Sequence, residues 1–285
     1  MTITVATSNV NGIRAAYRKN MEAWVSRHKP DVLCMQEVRA PQKDTDAILA
    51  SFARHYTGGR LRAAGSVGCL NEVCKIPGRA GVALISDLVI TDKRYGLAGL
   101  SEDVDTGRWI EADVTTPSGY GLTVVDVYMH AGNVDDPAKM GQKFRFLDHM
   151  MERAQELAET AENGGRQVVM CGDFNIAHTP ADTKNAKANE KNSGFLPEER
   201  AYLDRLLGDT GFTDVMRSLA GDIQGPYTWW SQRGRAFDNN TGWRLDYQFA
   251  TPGLARRALS FTIDRADSYD TRWSDHAPLT VAYDI

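Results

Sequence analysis

The stretch VVMCGDFN, residues 168–175, decides how this chain is read. An apolar run from Val168 to Cys171 breaks at Gly172 and delivers Asp173, Phe174 and Asn175. Consecutive apolar residues with β-branched members suit a strand buried on both faces. Asp and Asn after it suit the turn that ends such a strand, because their side chains bond local backbone. A turn alone would account for these two residues, so the reading depends on whether other strands end in the same way.

They do. Apolar β-branched segments recur as ITVATSNV (3–10), DVLCMQE (31–37), GVALISDLVI (81–90), WIEADVTT (109–116), LTVVDVYMH (122–130), RLDYQFA (244–250) and APLTVAYDI (277–285). Helical spacing lies between some of them. RKNMEAWVSRHK places Met21, Trp24, Val25 and His28 on one stripe, and LPEERAYLDRLL is a second short amphipathic helix. A longer helix opens at Pro137, carries Phe144, Leu147, Met151 and Leu157 on one face, and stops before Gly164 and Gly165. Several consecutive strands have no helix between them, which favours mixed sheets over a doubly wound parallel one. The expected fold is an α/β (α+β) layered sandwich, with residues 1–285 as one domain.

The bulk composition excludes several classes. With 285 residues, 42% hydrophobic and 25% charged, the chain can bury a sizeable core without disulfides or structural metal. A net charge of −4 announces no nucleic-acid partner globally, although an acidic site and a basic rim can cancel. The N-terminal MTITVATSNV has no signal-peptide pattern, and no apolar run is long enough to span a bilayer. A cytoplasmic protein with no membrane partner is expected. Cys34 and Cys171 sit in strand runs as small hydrophobes, while Cys69 and Cys74 lack the second pair a zinc site needs.

The strand ends carry the chemistry. The first strand ends in Asn9 and Asn11, the second in Gln36 and Glu37, and another in Tyr128 and His130. Asp246 interrupts an apolar strand, and a carboxylate there costs several kcal/mol unless paired. Asp275 and His276 precede the last strand. Carboxylates and carboxamides without thiolates suit a hard divalent cation, Mg²⁺ or Mn²⁺, and such ions favour phosphoryl chemistry.

The ordered series SNVNGIRA, QEVR, GRAGVAL, VYMHAG, GDFNIAHTP, SGFLPEERAYLDRLL, TGWRLDYQFA and SDHAPL resembles the exonuclease III family of apurinic/apyrimidinic endonucleases. GDFN and SDHAP alone mark only the wider endonuclease/exonuclease/phosphatase superfamily, whereas FLPEER and GWRLDY belong to its DNA-repair branch. The resemblance implies a four-layer sandwich of two packed mixed sheets flanked by helices. It implies a metal-dependent nuclease acting as a monomer on double-stranded DNA, at abasic sites or at 3′ ends. Glu37 is then the main metal ligand, with Asn9 and Asn11 lining the metal and phosphate site. Asp275 lies beside the metal, and Asp173, Asn175 and His276 border it. Asp173 orients or deprotonates the attacking water, Asn175 holds that water or the phosphate, and Asp246 pairs with His276 on a phosphate oxygen. Tyr128 bonds the phosphate. Trp229, Trp243 and Leu245 form an apolar slot for a base-free sugar, whereas Trp230 is read as core.

Basic residues expected at the rim, facing duplex phosphates, are Arg14, Lys143, Arg145, Lys184, Lys187, Lys191, Arg233 and Arg235. Asn133 stands near where some relatives carry a DNA-inserting Arg, so no strand wedge is expected there. The segment RLRAAGSVGCLNEVCKIPGRAG (60–81) is longer than its counterpart in compact relatives. Two rivals share parts of the pattern. A phosphodiesterase for lipid or inositol phosphates would keep the catalytic strands but lack FLPEER and the tryptophan slot. A catalytically dead DNA-binding homologue would have lost one of the catalytic positions, and all are filled.

Overall fold

The computed structural model describes residues 1–56, 67–100 and 105–285. Among them, two six-stranded sheets stack face to face. The first has the spatial order Ala258–Ile263 (β11), Leu279–Asp284 (β12), Thr2–Asn9 (β1), Val32–Gln36 (β2), Val82–Ser86 (β4) and Gly68–Glu72 (β3). The second runs Val89–Tyr95 (β5), Trp109–Thr115 (β6), Gly121–Tyr128 (β7), Gln167–Asp173 (β8), Asp246–Ala250 (β10) and Thr213–Asp214 (β9). Each sheet has one parallel pair at its centre, β1–β2 and β7–β8, and its other neighbours are antiparallel.

Alternation along the central strands builds the four layers. Val32 and Cys34 of β2 face Val169 and Cys171 of β8 in the core between the sheets. Leu33 and Met35 point the other way, beneath the helices Ile13–Arg18 (α1), Met21–His28 (α2) and Gln42–Ala53 (α3). Val168 and Met170 likewise pack beneath Pro137–Glu162 (α4) and, beyond the short Ala186–Asn189 (α5), Pro197–Gly208 (α6). Both faces of β2 and β8 are therefore buried, which is why their sequences read as unbroken apolar runs. Each such side chain contributes about 1.5–3 kcal/mol on burial. No disulfide joins the four cysteines, and Cys34 and Cys171 are buried.

The structure departs from the sequence reading in three places. GVALISDLVI is two strands, β4 and β5, in different sheets. The chain turns at Ser86, whose hydroxyl accepts from Leu88 N at 3.1 Å and donates to Leu88 O at 3.0 Å. The buried face of α4 is Phe146, Leu147, Met150, Ala154 and Leu157, so Phe144 and Met151 only flank it. Phe144 instead meets the Tyr202 ring of α6 at 6.0 Å, because α4 lies in the angle between sheet and helix. The half-exposed edge strands β11 and β3 carry no apolar run that would announce them. Residues 60–66 of the long glycine-rich segment lie outside the described residues. No described helix is long and apolar enough to cross a membrane.

Candidate active site

The topology sends the polar strand ends to one end of the sandwich. The two parallel pairs finish there, at Asn9 and Gln36 in one sheet and at Tyr128 and Asp173 in the other. Strand β10 begins at the same end, with Asp246 paired to Asp173 across the ladder. The chain then returns through Asp275 and His276 into β12. Gly172 makes this approach possible. At φ 141°, a Cβ on it would lie 1.9 Å from the Val127 carbonyl oxygen, so no other residue fits before Asp173.

Asp173 is 1% exposed and fully engaged. Its Oδ2 accepts from Asn9 Nδ2 at 2.8 Å and Asn175 Nδ2 at 3.1 Å, and its Oδ1 accepts from Asn175 N at 2.9 Å. His276 Nε2 stands 3.8 Å from the same Oδ2, while His276 Nδ1 donates to Asp246 Oδ2 at 2.8 Å. Burial works against a charged imidazole, but Asp246, Asp173 and Asp275 outweigh it and push His276 up to about 10. Burial drives the Asp173 carboxyl up to about 7, against the pull of His276 and with the push of Asp246. The site thus pairs an imidazolium with a carboxylate of near-neutral pKa, the combination that suits proton transfer around pH 7.

A second group of polar residues adjoins it. Asn11 Nδ2 donates to Asp275 Oδ1 at 2.8 Å, and Trp229 Nε1 donates to Asp275 Oδ2 at 3.2 Å. Burial would raise the Asp275 carboxyl, but His276 and these donors leave it lowered. Glu37 pairs with Arg39, whose guanidinium also donates to Asn11 Oδ1 at 2.9 Å. Asn11, Glu37, Arg39 and Asn175 all have left-handed backbones, with φ of 44°, 59°, 49° and 49°. Such conformations are uncommon for these residues and concentrate where side chains must be aimed. One ligand atom each from Asp173, Asp246 and His276 falls within 4.8 Å of the others, compact enough for a metal ion. Glu37 is not part of that group, but with Asn9, Asn11 and Asp275 it faces the same cleft. The oxygen donors of Glu37, Asn9, Asn11 and Asp275 fit a hard divalent cation.

These residues line a cleft of about 540 Å³. Of the residues named from sequence, Asn9, Asn11, Glu37, Tyr128, Asp173, Asn175, Trp229, Trp243, Leu245, Asp275 and His276 are brought together in its walls. Asp246 stands behind His276 rather than in the wall. Tyr128 is 9% exposed with the Arg108 guanidinium 4.8 Å from its ring centre, and burial raises its phenol well above the ordinary range. The Trp229 and Trp243 rings meet edge to face at 6.3 Å and cluster with Phe195, Ala177 and Leu245. Trp230 packs with Tyr227 and Phe237 in a separate core, as expected.

One expected contact is not where the sequence put it. Lys143 is no rim residue: its side chain is wholly buried against Glu199, because it occupies an inward position of α4. Arg14 is exposed and paired to Asp44 at 3.1 Å, outside the cleft wall. Lys184, Lys187, Lys191, Arg233 and Arg235 are exposed, as a rim requires. Arg39, Ser193, Gly194 and Gln232 line the cleft without having been singled out. Arg39 had a signal in its place at the end of QEVR, and Ser193 and Gly194 in theirs just ahead of FLPEER.

Comparison with known proteins agrees with this geometry. The model of the Endonuclease/Exonuclease/phosphatase family matches residues 6–276. An exodeoxyribonuclease of Bacillus subtilis is 29% identical over 97% of this chain and 98% of its own length. A DNA repair nuclease of Danio rerio is 30% identical over 97% of this chain and 81% of its own. Among solved structures, a 3′ phosphatase from Neisseria bound to a product DNA hairpin superposes with a TM-score of 0.82 at 26% identity, covering 99% of this chain and 100% of that one.

Proposed function

The chain belongs to the endonuclease/exonuclease/phosphatase family, and from that premise we propose that it is a DNA repair nuclease of the exonuclease III type. It hydrolyses phosphodiester bonds 5′ of abasic sites in duplex DNA and removes nucleotides or blocking groups from 3′ ends. One observation carries the reading: a buried Asp173–His276–Asp246 constellation opens into the same cleft as the Trp229–Trp243 slot. The names of its relatives, nucleases and a phosphatase acting at DNA ends, support the same substrate class. We read residues 1–285 as one monomeric catalytic domain, working in the cytoplasm.

Glu37, Asn9 and Asp275 would hold Mg²⁺ or Mn²⁺, with Asn11 alongside. When bound, the ion supplies positive charge to a phosphate oxygen. The chain's own groups do the rest. Asp173 aligns the attacking water and draws on its proton, held in place by Asn9 and Asn175. Asn175 orients that water or a non-bridging oxygen through its carboxamide. His276, kept protonated by Asp246, donates to a non-bridging oxygen whose charge grows in the transition state. Tyr128, in the lining of the same cleft, bonds the phosphate. Trp229, Trp243 and Leu245 present flat apolar area to a sugar without a base. A sugar that keeps its base reaches the slot only after unstacking, which costs a few kcal/mol in a duplex.

The test is one preparation assayed on three duplexes, carrying an abasic site, a recessed 3′ end and a 3′-phosphate. Incision 5′ of the abasic sugar with a 3′-hydroxyl product is expected. Hydrolysis of a lipid or inositol phosphate diester, with none of the DNA substrates cut, would overturn the reading.

A further inference from the structure

Lys143 and Glu199 are both 0% exposed, with Nζ 2.7 Å from Oε1, and neither lines the cleft. Their remaining hydrogen bonds go to three segments that do. Lys143 Nζ donates to the carbonyls of Ala131 at 3.1 Å and Asn175 at 2.9 Å. Glu199 accepts from Ser193 Oγ at 2.8 Å, Gly194 N at 2.6 Å and Leu196 N at 3.0 Å. Ala131 follows the Tyr128 strand, Asn175 stands beside Asp173, and Gly194 backs onto the slot. A Cβ on Gly194 would lie 3.3 Å from the Trp243 ring and 3.1 Å from the Asn175 carbonyl oxygen.

A fully buried ion pair is a weak source of stability, since desolvation offsets most of its attraction. An apolar pair of the same volume would fill the space equally well. What it could not supply is directed hydrogen bonds to three loops at once, and those loops carry the cleft.

We propose that Lys143 and Glu199 are positioning residues, a buried strut that fixes the 193–196 wall against Asn175 and Trp243 and so sets the width of the sugar slot. This role rests on the nuclease reading above and replaces the DNA-facing role that the sequence suggested for Lys143. The strut touches no substrate; it acts through the wall it holds.

The test compares the parent with the double variant Lys143→Met/Glu199→Met, which removes every donor and acceptor of the strut, and the single variant Lys143→Arg. The double variant keeps volume and leaves no unpaired charge, so it is expected to fold. On an abasic duplex its KM should rise about tenfold while kcat changes by less than about threefold, and Lys143→Arg should recover most of the KM. Hydrogen exchange at the Gly194 and Leu196 amides, read without substrate, should speed up about tenfold in the folded double variant. A folded double variant with the parent's KM and the parent's exchange rates would overturn the proposal. If the parent itself does not cut abasic DNA, the nuclease reading falls, and the exchange rates alone decide the strut. If the double variant does not fold, Ser193→Ala removes the hydroxyl that bonds both Glu199 and the Ala131 carbonyl and leaves the ion pair intact. A KM raised about threefold would then support the strut, and an unchanged KM would overturn it.

Discussion

Asp246 holds His276 through a 2.8 Å hydrogen bond from Nδ1, and it does so from the strand that pairs directly with the one ending in Asp173. One ladder therefore sets two carboxylates on either side of a single imidazole. His276 cannot rotate without losing Asp246, and the outer face of its ring stays aimed at the cleft beside Asp173.

Replacing either side of this relationship should affect turnover rather than binding. Asp246→Asn and His276→Asn are each expected to lower kcat on an abasic duplex by about 10²–10³-fold, because they act on charge that grows in the transition state. DNA affinity, measured by fluorescence anisotropy, should change little. Near-normal turnover with weakened binding would make them substrate-positioning groups.

Much of this site was legible beforehand, for a physical reason. A polar side chain that interrupts or ends an apolar strand must be paired or functional, and Asp173 and Asp246 stand out against runs such as VVMC. Lys143 was misplaced because a lysine on an amphipathic helix reads as a solvated charge. Its partner Glu199 lies 56 positions away, and only packing brings them together. Ser193 and Gly194 belong to a short turn whose polar composition says nothing about what it faces. The division of GVALISDLVI between two sheets is marked in the sequence only by the Ser86-Asp87 pair, too short a polar break to stand out among its apolar neighbours.

The tryptophan slot separates substrate preference from hydrolysis. Trp243→Ala should reduce the ratio of abasic cleavage to 3′-end digestion, measured side by side, while leaving hydrolysis itself in place. An unchanged ratio would make Trp243 core packing, continuous with Phe195 at 6.3 Å.

Stability in acid should reflect Asp182. Its Oδ1 accepts from Arg244 Nε at 2.7 Å and Arg217 Nη2 at 2.5 Å, and its Oδ2 accepts from Thr179 N at 2.8 Å. Burial opposes ionisation, but Arg244 and these donors hold the carboxyl down at about 2. Because the folded value lies below the unfolded one of about 3.9, the contribution is full above pH 4 and is lost as pH falls towards 2. It amounts to roughly 2.6 kcal/mol by that difference. Urea unfolding between pH 2 and 7 should show this loss in the parent. In Asp182→Asn this component should vanish, with stability at pH 7 lower by roughly 3 kcal/mol. An unchanged acid limb in the variant would rule Asp182 out as its source.

Cys69 and Cys74 stand apart from the cleft walls and are unbridged. Changing both to Ser should leave nuclease activity within about threefold of the parent, since neither side chain reaches the cleft. A large loss in the same assay would tie the 60–81 segment to the active site.

The most direct test of the central claim is cleavage of an abasic duplex by metal-stripped protein, before and after adding back Mg²⁺ or Mn²⁺. The oxygen-rich cleft cannot by itself neutralise a phosphodiester, so incision should disappear in EDTA and return with either ion, leaving a 3′-hydroxyl end. Full activity in the stripped sample would contradict the account.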